Sequence, residues 1–187
     1  PLTNYLADKY RAFGIDVVVP VGGRALKFVV DQLGRGLPNV PIVFALCAMP
    51  QTDPAAQPAN VTGRISPASR FAPTLEMARR LQPDARRVVV VAGAGAADST
   101  SAAAVVREAK SLGDSLEVSV LQGLPLDELL PQLRRIPRRS IVVFANYRLD
   151  GRGHAYEPLD VVASIAHAAT APMYTQLASY LGEGVVG

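Results

Sequence analysis

Three stretches of this sequence are apolar at every position: Ile42-Val43-Phe44-Ala45-Leu46, Val88-Val89-Val90-Val91-Ala92 and Ile141-Val142-Val143-Phe144-Ala145. Successive side chains of a strand point to opposite faces, so a strand with one wet face alternates apolar and polar residues. A strand that is apolar throughout must be covered on both faces, as in parallel sheets flanked by helices. The intervening segments supply the helices. Leu2, Tyr5, Leu6, Tyr10 and Phe13 recur with a helical period, and Leu26, Val29, Val30 and Leu33 do the same within residues 24–33. Further helices are expected near 71–81, 98–112, 126–136, 158–169 and 177–181, with Pro131 kinking or shortening the third of these. Shorter strands are expected at 15–21, 61–65, 116–121 and 172–175. This alternation predicts an α/β fold built on parallel sheets. Ligands of such folds sit beyond the carboxyl ends of the strands.

With 187 residues, 49% hydrophobic and 19% charged, the chain can bury a sizeable core and is not expected to be disordered. The texture breaks at residues 47–60, where proline and small polar residues replace any period. Such a stretch reads as a crossover between two packed units. The net charge of +3 is carried by scattered arginines: Arg79-Arg80, Arg86-Arg87 and the run 134–139. Each group lies at a helix end or before an apolar run, where it caps helix carbonyls and solvates the surface. No aromatic platform accompanies them, so a nucleic-acid interface is not expected.

The single cysteine, Cys47, excludes an internal disulfide or a cysteine zinc cluster and reads as a buried thiol. The two histidines, His154 and His167, are too far apart for a helix-borne metal pair. No metal or cofactor is expected. No stretch is long and apolar enough to span a bilayer. The chain opens inside a helical pattern without an initiator methionine, so it reads as a fragment of a longer protein.

The turn after the second apolar strand, Gly93-Ala94-Gly95-Ala96-Ala97-Asp98, tests for a dinucleotide site. Two glycines fit the fingerprint, but Asp98 stands at the third glycine position. An aspartate there serves as an N-cap and repels a pyrophosphate competing for the same amides. The next strand ends in Gln122-Gly123 rather than in the acid that would hold a ribose. No phosphate loop and no Gly-x-Ser-x-Gly elbow occurs. Asp150, Glu157 and Asp160 read as loop acids that cap helices, and Asn60-Val61-Thr62 matches a glycosylation sequon.

The predicted strand ends share small, neutral, hydrogen-bonding chemistry. They offer Gly22 and Gly23, Ala48 and Met49, Ala94 and Gly95, Gln122, Asn146 and Tyr147, then Tyr174, Thr175 and Gln176. Glycines admit close backbone approach, tyrosines offer an apolar face with a polar tip, and side-chain amides donate and accept. This inventory suits reversible capture of a small organic molecule better than bond breaking. Arg24 and Arg148 are the nearest basic groups for an anionic ligand.

Several stretches carry a family resemblance: "IDVVVPVGGRALKFV", "VPIVFAL" with the crossover into "NVTGRI", "TLEMARRLQPDARRVVVVAG", "IVVFANYRLDGRGHAYEPLDVVASIA" and "APMYTQLASYLGEGVVG". Together they resemble the ABC-transporter substrate-binding-protein-like family of the type 1 periplasmic-binding fold. The "DGRGHAYEP" loop and the "APMY…LGEGVVG" ending look like its branch of extracytoplasmic input domains of bacterial sensor histidine kinases. The resemblance implies two α/β lobes with a ligand between them. Residues 1–46 would be part of the N-terminal lobe, 47–64 the crossover and hinge, and 65–187 the C-terminal lobe. The opening strands of the first lobe and the return segment after Gly187 would be missing. Carried over position by position, Ala94, Gly95, Asn146, Tyr147 and Tyr174 would line the cleft from one lobe. Gly22, Gly23, Ala48 and Met49 would line it from the other.

On this template the domain is non-catalytic and binds a small organic ligand. Its parent would be anchored in the inner membrane, with the domain on the periplasmic side and signalling through a two-component system. A free solute-binding protein of an ABC importer is the alternative, and a Rossmann-like enzyme a third reading. An uncovered apolar sheet edge in the partial lobe would favour homodimerisation or strand exchange.

Overall fold

The structure is a computed structural model and describes residues 2–10, 14–33, 40–44, 60–63, 70–113 and 116–187. The chain divides into two compact units, Pro1–Ala68 and Ser69–Gly187.

In the first unit, α1 spans Leu2–Tyr10 and α2 spans Gly23–Phe28. The helix expected over 24–33 does not stay α-helical: Val29–Leu33 continues α2 as a π-helical turn. Gly22 caps α2 with φ +85°, a left-handed conformation that glycine adopts without a Cβ penalty. The two short strands β1 (Ile42–Phe44) and β2 (Val61–Gly63) pair in parallel. Thus the end of the expected crossover belongs to a sheet of this unit. Leu26, Val29, Ile42, Phe44 and Val61 form its core, with Val18 packed against them.

The strand expected over 15–21 is not continuous. Val18 makes an isolated parallel bridge to Ile42, while Val17, Val19 and Val21 are exposed. Pro20 has no amide to extend a ladder, which favours this interruption. Likewise Val43 in β1 is 37% exposed, so this apolar strand is not covered on both faces. Asn60, the sequon asparagine, donates from its side chain to the Val40 carbonyl at 2.9 Å and pins the entry to β1. Cys47 and residues 47–59 of the expected crossover lie outside the described residues.

The second unit follows the predicted alternation closely. Its elements are α3 (Ala72–Leu81), β3 (Arg87–Ala92), α4 (Ala96–Ser111), β4 (Glu117–Gln122), α5 (Leu126–Leu133), β5 (Ser140–Asn146), α6 (Pro158–Ala168) and β6 (Met173–Tyr174). The four strands form one parallel sheet in the order β4-β3-β5-β6. Val88, Val90 and Ala92 pack with Phe71, Leu75 and Ala78 of the α3 region and with Val105 and Ala109 of α4. Val89 and Val91 pack on the opposite face with Leu129 and Leu133 of α5 and with Val161, Val162 and Ile165 of α6. Helices on opposite faces for outward and return crossovers are what right-handed connections require of this strand order. Full cover of β3 and β5 explains why residues 88–92 and 141–145 within them are apolar at every position.

Pro131 lies inside α5 and shortens it: the helix ends at Leu133 rather than reaching Ile136. After β6 the chain makes a single 3-10 turn, Ala178–Tyr180, where a short helix was expected. It then returns so that Val186 bridges Tyr174 in parallel, with the Val186 amide donating to Met173 at 2.8 Å. Glycines at 182 and 184, both with positive φ, make that return. Among the described residues no helix is long and apolar enough to cross a membrane.

Phe144 is fully buried and meets the Tyr180 ring edge-on at 5.6 Å, tying the C-terminal return to β5. Phe144→Ala should therefore lower the unfolding free energy by about 3–5 kcal/mol. Denaturant titration measures this, and a loss well under about 1 kcal/mol would contradict the packing described.

Candidate functional site

The order β4-β3-β5-β6 places a topological switch point at the carboxyl ends of β3 and β5, where the chain leaves in opposite directions. The loops that meet there are 93–95, 123–125 and 147–157. Backbone hydrogen bonds sew them together. The Gly93 amide donates to Asn146 at 2.9 Å, the Ala94 amide to Leu149 at 2.6 Å and the Gly151 amide to Gly123 at 2.7 Å. A Cβ on Gly93 would lie 2.5 Å from the Leu149 carbonyl oxygen and would also strike the Asp98 carboxylate. Glycine at this position is thus required by close approach.

Asp98 is the hinge-pin of this arrangement. The sequence suggests it as the N-cap of α4, but the helix begins earlier, with Gly95 as the cap and Asp98 in its first turn. A polar aspartate is stable here because its fully buried carboxylate is satisfied by amides. It accepts from the Gly95 amide at 3.1 Å and from the Arg148 amide at 3.2 Å. The carboxylate thereby occupies the helix N-terminus that a nucleotide phosphate would use. Gln122, where a ribose-binding acid would stand, instead donates to the Ser99 hydroxyl at 2.7 Å.

The loop 147–157 is folded around a second buried acid, Asp150. Its carboxylate accepts from the amides of Arg152 and His154, each at 2.9 Å, and from the Tyr156 hydroxyl at 3.0 Å. The His154 ring stands 3.3 Å away. Burial pushes the carboxyl pKa upward, but the His154 amide, the Tyr156 hydroxyl and the Arg152 amide outweigh it and hold it below the usual aspartate value. Arg152 clamps the loop to the start of α5, reaching Asp127 at 2.9 Å and Glu128 at 2.7 Å. Leu149 bridges antiparallel to Ala155, completing a small hairpin. Asp150 is therefore the organiser of its own loop, not a helix cap.

Within unit two, the structure brings Ala94, Gly95, Asn146, Tyr147 and Tyr174 to one edge. Their exposure differs. Ala94 is exposed, and Gly95 and Asn146 are half-buried. A β-bulge interrupts the β3–β5 register, so that Ala92 pairs with Asn146. Bulges re-aim side chains at strand ends. Among the described residues the Asn146 side-chain amide makes no hydrogen bond. The two tyrosines serve the core instead. Tyr147 is fully buried on the α5–α6 face, its hydroxyl donating to Leu124 at 2.5 Å, and burial followed by the neighbouring Tyr156 pushes its phenol pKa up. Tyr174 is buried on the α3–α4 face, where its hydroxyl accepts from Gln82 at 2.9 Å. Neither ring forms an open wall.

Gly22 and Gly23 stand at the start of α2 in unit one. Ala48 and Met49 lie outside the described residues. His154 and His167 are exposed, the latter with its ring Nδ1 2.6 Å from the Ala163 carbonyl. Among the described residues no cluster of His, Cys, Asp or Glu could hold a metal ion.

The same α/β fold recurs in solved structures. A conserved domain protein from Vibrio cholerae superposes with a TM-score of 0.58 at 18% identity, covering 99% of this chain and 61% of its own. An ABC domain in complex with L-Trp from Streptococcus pneumonia superposes with a TM-score of 0.57 at 14% identity, covering 96% of this chain and 60% of its own. The second unit's parallel four-stranded sheet flanked by helices thus follows the α/β, periplasmic-binding-like fold of these structures. The chain spans about three fifths of the length of these two structures. No model of a protein family matches the sequence, and no curated protein matches it.

Asp98→Ala would leave two amides without their acceptor and should cost about 1–3 kcal/mol, read by thermal or denaturant unfolding. The Asp150 network predicts a pH dependence with a definite sign. The folded-state pKa lies below the unfolded value, so the stabilisation is complete above about pH 4 and is lost as the pH falls through the lower, native value. Hydrogen exchange of the Arg152 and His154 amides should accelerate over that acid window, beyond the intrinsic trend. In Asp150→Asn these amides should be weakly protected at neutral pH and show no such window.

Proposed function

We propose that this chain is a ligand-binding domain that captures a small, largely uncharged organic molecule at the carboxyl edge of its second unit. The observation that carries the reading is the contrast at the switch point. The loops around it are internally satisfied and rigidly tied, while the half-buried Asn146 amide is left unpaired beside the small residues Ala94 and Gly95. A preformed edge with a free donor and acceptor is suited to binding and lacks a nucleophile–base pair for chemistry. The fold likeness supports the same reading, since one structure that shares the fold holds L-Trp.

In its finer form the proposal is an extracytoplasmic input domain of a sensor histidine kinase with a membrane-anchored parent. It rests on the "DGRGHAYEP" loop and the glycine-rich ending, both of which form ordered structures here. The solute-binding component of an ABC importer is the second reading, favoured by the ABC domain among the similar structures. An enzyme of the nucleotide-dependent Rossmann kind is disfavoured by Asp98, which already occupies the α4 N-terminus.

Calorimetry of the full ligand-binding region of the parent protein against L-Trp, other aromatic and aliphatic amino acids, small carboxylates and amides tests binding. At least one should bind, and Asn146→Ala should weaken it about tenfold, the worth of one hydrogen bond, with little change in melting temperature. No heat with any class of compound would overturn the reading. Ligand-dependent autophosphorylation of the parent in vesicles would favour the sensor; ligand-dependent uptake with a partner permease would favour the importer.

A further inference from the structure

The arginines that are scattered along the sequence converge at one edge of the fold. In a parallel sheet the carboxyl ends of the helices and the amino ends of the strands share an edge. Arg79 and Arg80 close α3, Arg86 and Arg87 precede or open β3, and the run 134–139 links α5 to β5. The contacts are direct. The Arg86 amide donates to the Arg139 carbonyl at 3.1 Å, and Arg79 donates to the Leu112 carbonyl at the end of α4 at 2.9 Å. Arg79, Arg86 and Arg139 line one recess of about 330 Å³ together with Asp84.

Among the described residues, the two acids nearest these arginines are spent. Asp84 pairs with Arg139 at 3.3 Å and Glu117 with Arg87 at 2.7 Å. Arg80, Arg86, Arg134, Arg135 and Arg138 are exposed and have no carboxylate partner among the described residues. The helix dipole accounts for cations in a last helical turn. It does not account for Arg86 and Arg138, which precede strands.

We propose that this amino edge of the second unit docks on an anionic phospholipid surface. Guanidinium groups bind phosphodiesters in a bidentate fashion, and five unpaired ones in one field give a polybasic patch. Beside Arg80, Leu81 is 61% exposed, and Pro83 and Pro137 are exposed as well. An apolar tip among arginines fits the boundary between headgroups and acyl chains and has no counterpart on a nucleic-acid backbone. Every phenylalanine and tyrosine of the second unit is buried or half-buried, so no stacking platform for bases exists there. The edge lies opposite the carboxyl-edge site, so docking leaves that site open. The inference does not depend on the identity, or existence, of a ligand there.

Co-sedimentation of the chain with vesicles of phosphatidylcholine and phosphatidylglycerol, roughly three to one, is the test. Binding is expected to the mixed vesicles and not to pure phosphatidylcholine, and to fall steeply with added salt as the Debye length shrinks. The triple variant Arg80→Gln, Arg86→Gln, Arg138→Gln should lower partitioning about a hundredfold, at about fivefold per residue. Leu81→Ser should lower it several-fold, with circular dichroism unchanged in both variants. No binding, equal binding to neutral vesicles, or no effect of the triple variant would overturn the proposal. So would tighter retention by duplex DNA than by the vesicles at the same salt, with Leu81→Ser unaffected.

Discussion

The structure depends on the double burial of β3. Its amides and carbonyls are engaged by β4 on one side and β5 on the other, and its valines face two separate apolar layers. A strand placed this way has no position that can tolerate a polar side chain without an internal partner. The same constraint fixes the helices, because each face must receive an apolar stripe of matching period. α3 and α4 supply one and α5 and α6 the other. Burial alone therefore orders the second unit and sets the switch point between β3 and β5.

Polar chemistry enters only at the two ends of that sheet, and the ends differ in kind. At the carboxyl end, two buried carboxylates gather backbone amides. Asp98 joins the loops after β3 and β5, and Asp150 shapes the hairpin of residues 149–155. Buried acids are tolerated there because each is surrounded by donors. The result is a rim whose charged groups are paired with one another or satisfied by amides, from which the Asn146 side chain is left over. At the amino end, guanidinium groups outnumber the carboxylates that could pair with them, leaving an exposed cationic edge. One sheet thus separates a rim of paired charges from a rim of unpaired arginines.

Much of the second unit was legible in the sequence. The apolar run 88–92 reappears as the strand Arg87–Ala92, since a run of β-branched residues bounded by arginines and glycine has few other solutions. Pro131 correctly signalled an early end to α5. The first unit was less legible. The valines at 17, 19 and 21 suggested a strand, yet a strand exists only with a continuous ladder to hydrogen-bond, and Val18 makes no more than an isolated bridge to Ile42. Ala94, Gly95, Asn146, Tyr147 and Tyr174 lie at the carboxyl edge of the second unit, where strand ends in the sequence put them, but the direction of their side chains was not legible. Tyr147 and Tyr174 turn into opposite cores, because a large ring gains more from burial than from lining an edge.

The sequence by itself determined the α/β architecture, because periodicity and full apolar runs report how many faces of each element meet water. Only the tertiary structure decided which polar groups are spent and which remain free. The partners of Asp98, the isolation of Asn146 and the convergence of the arginines all join segments distant along the chain. Burial is written locally in residue type and spacing, whereas hydrogen-bond and charge pairing depend on what the fold brings within reach.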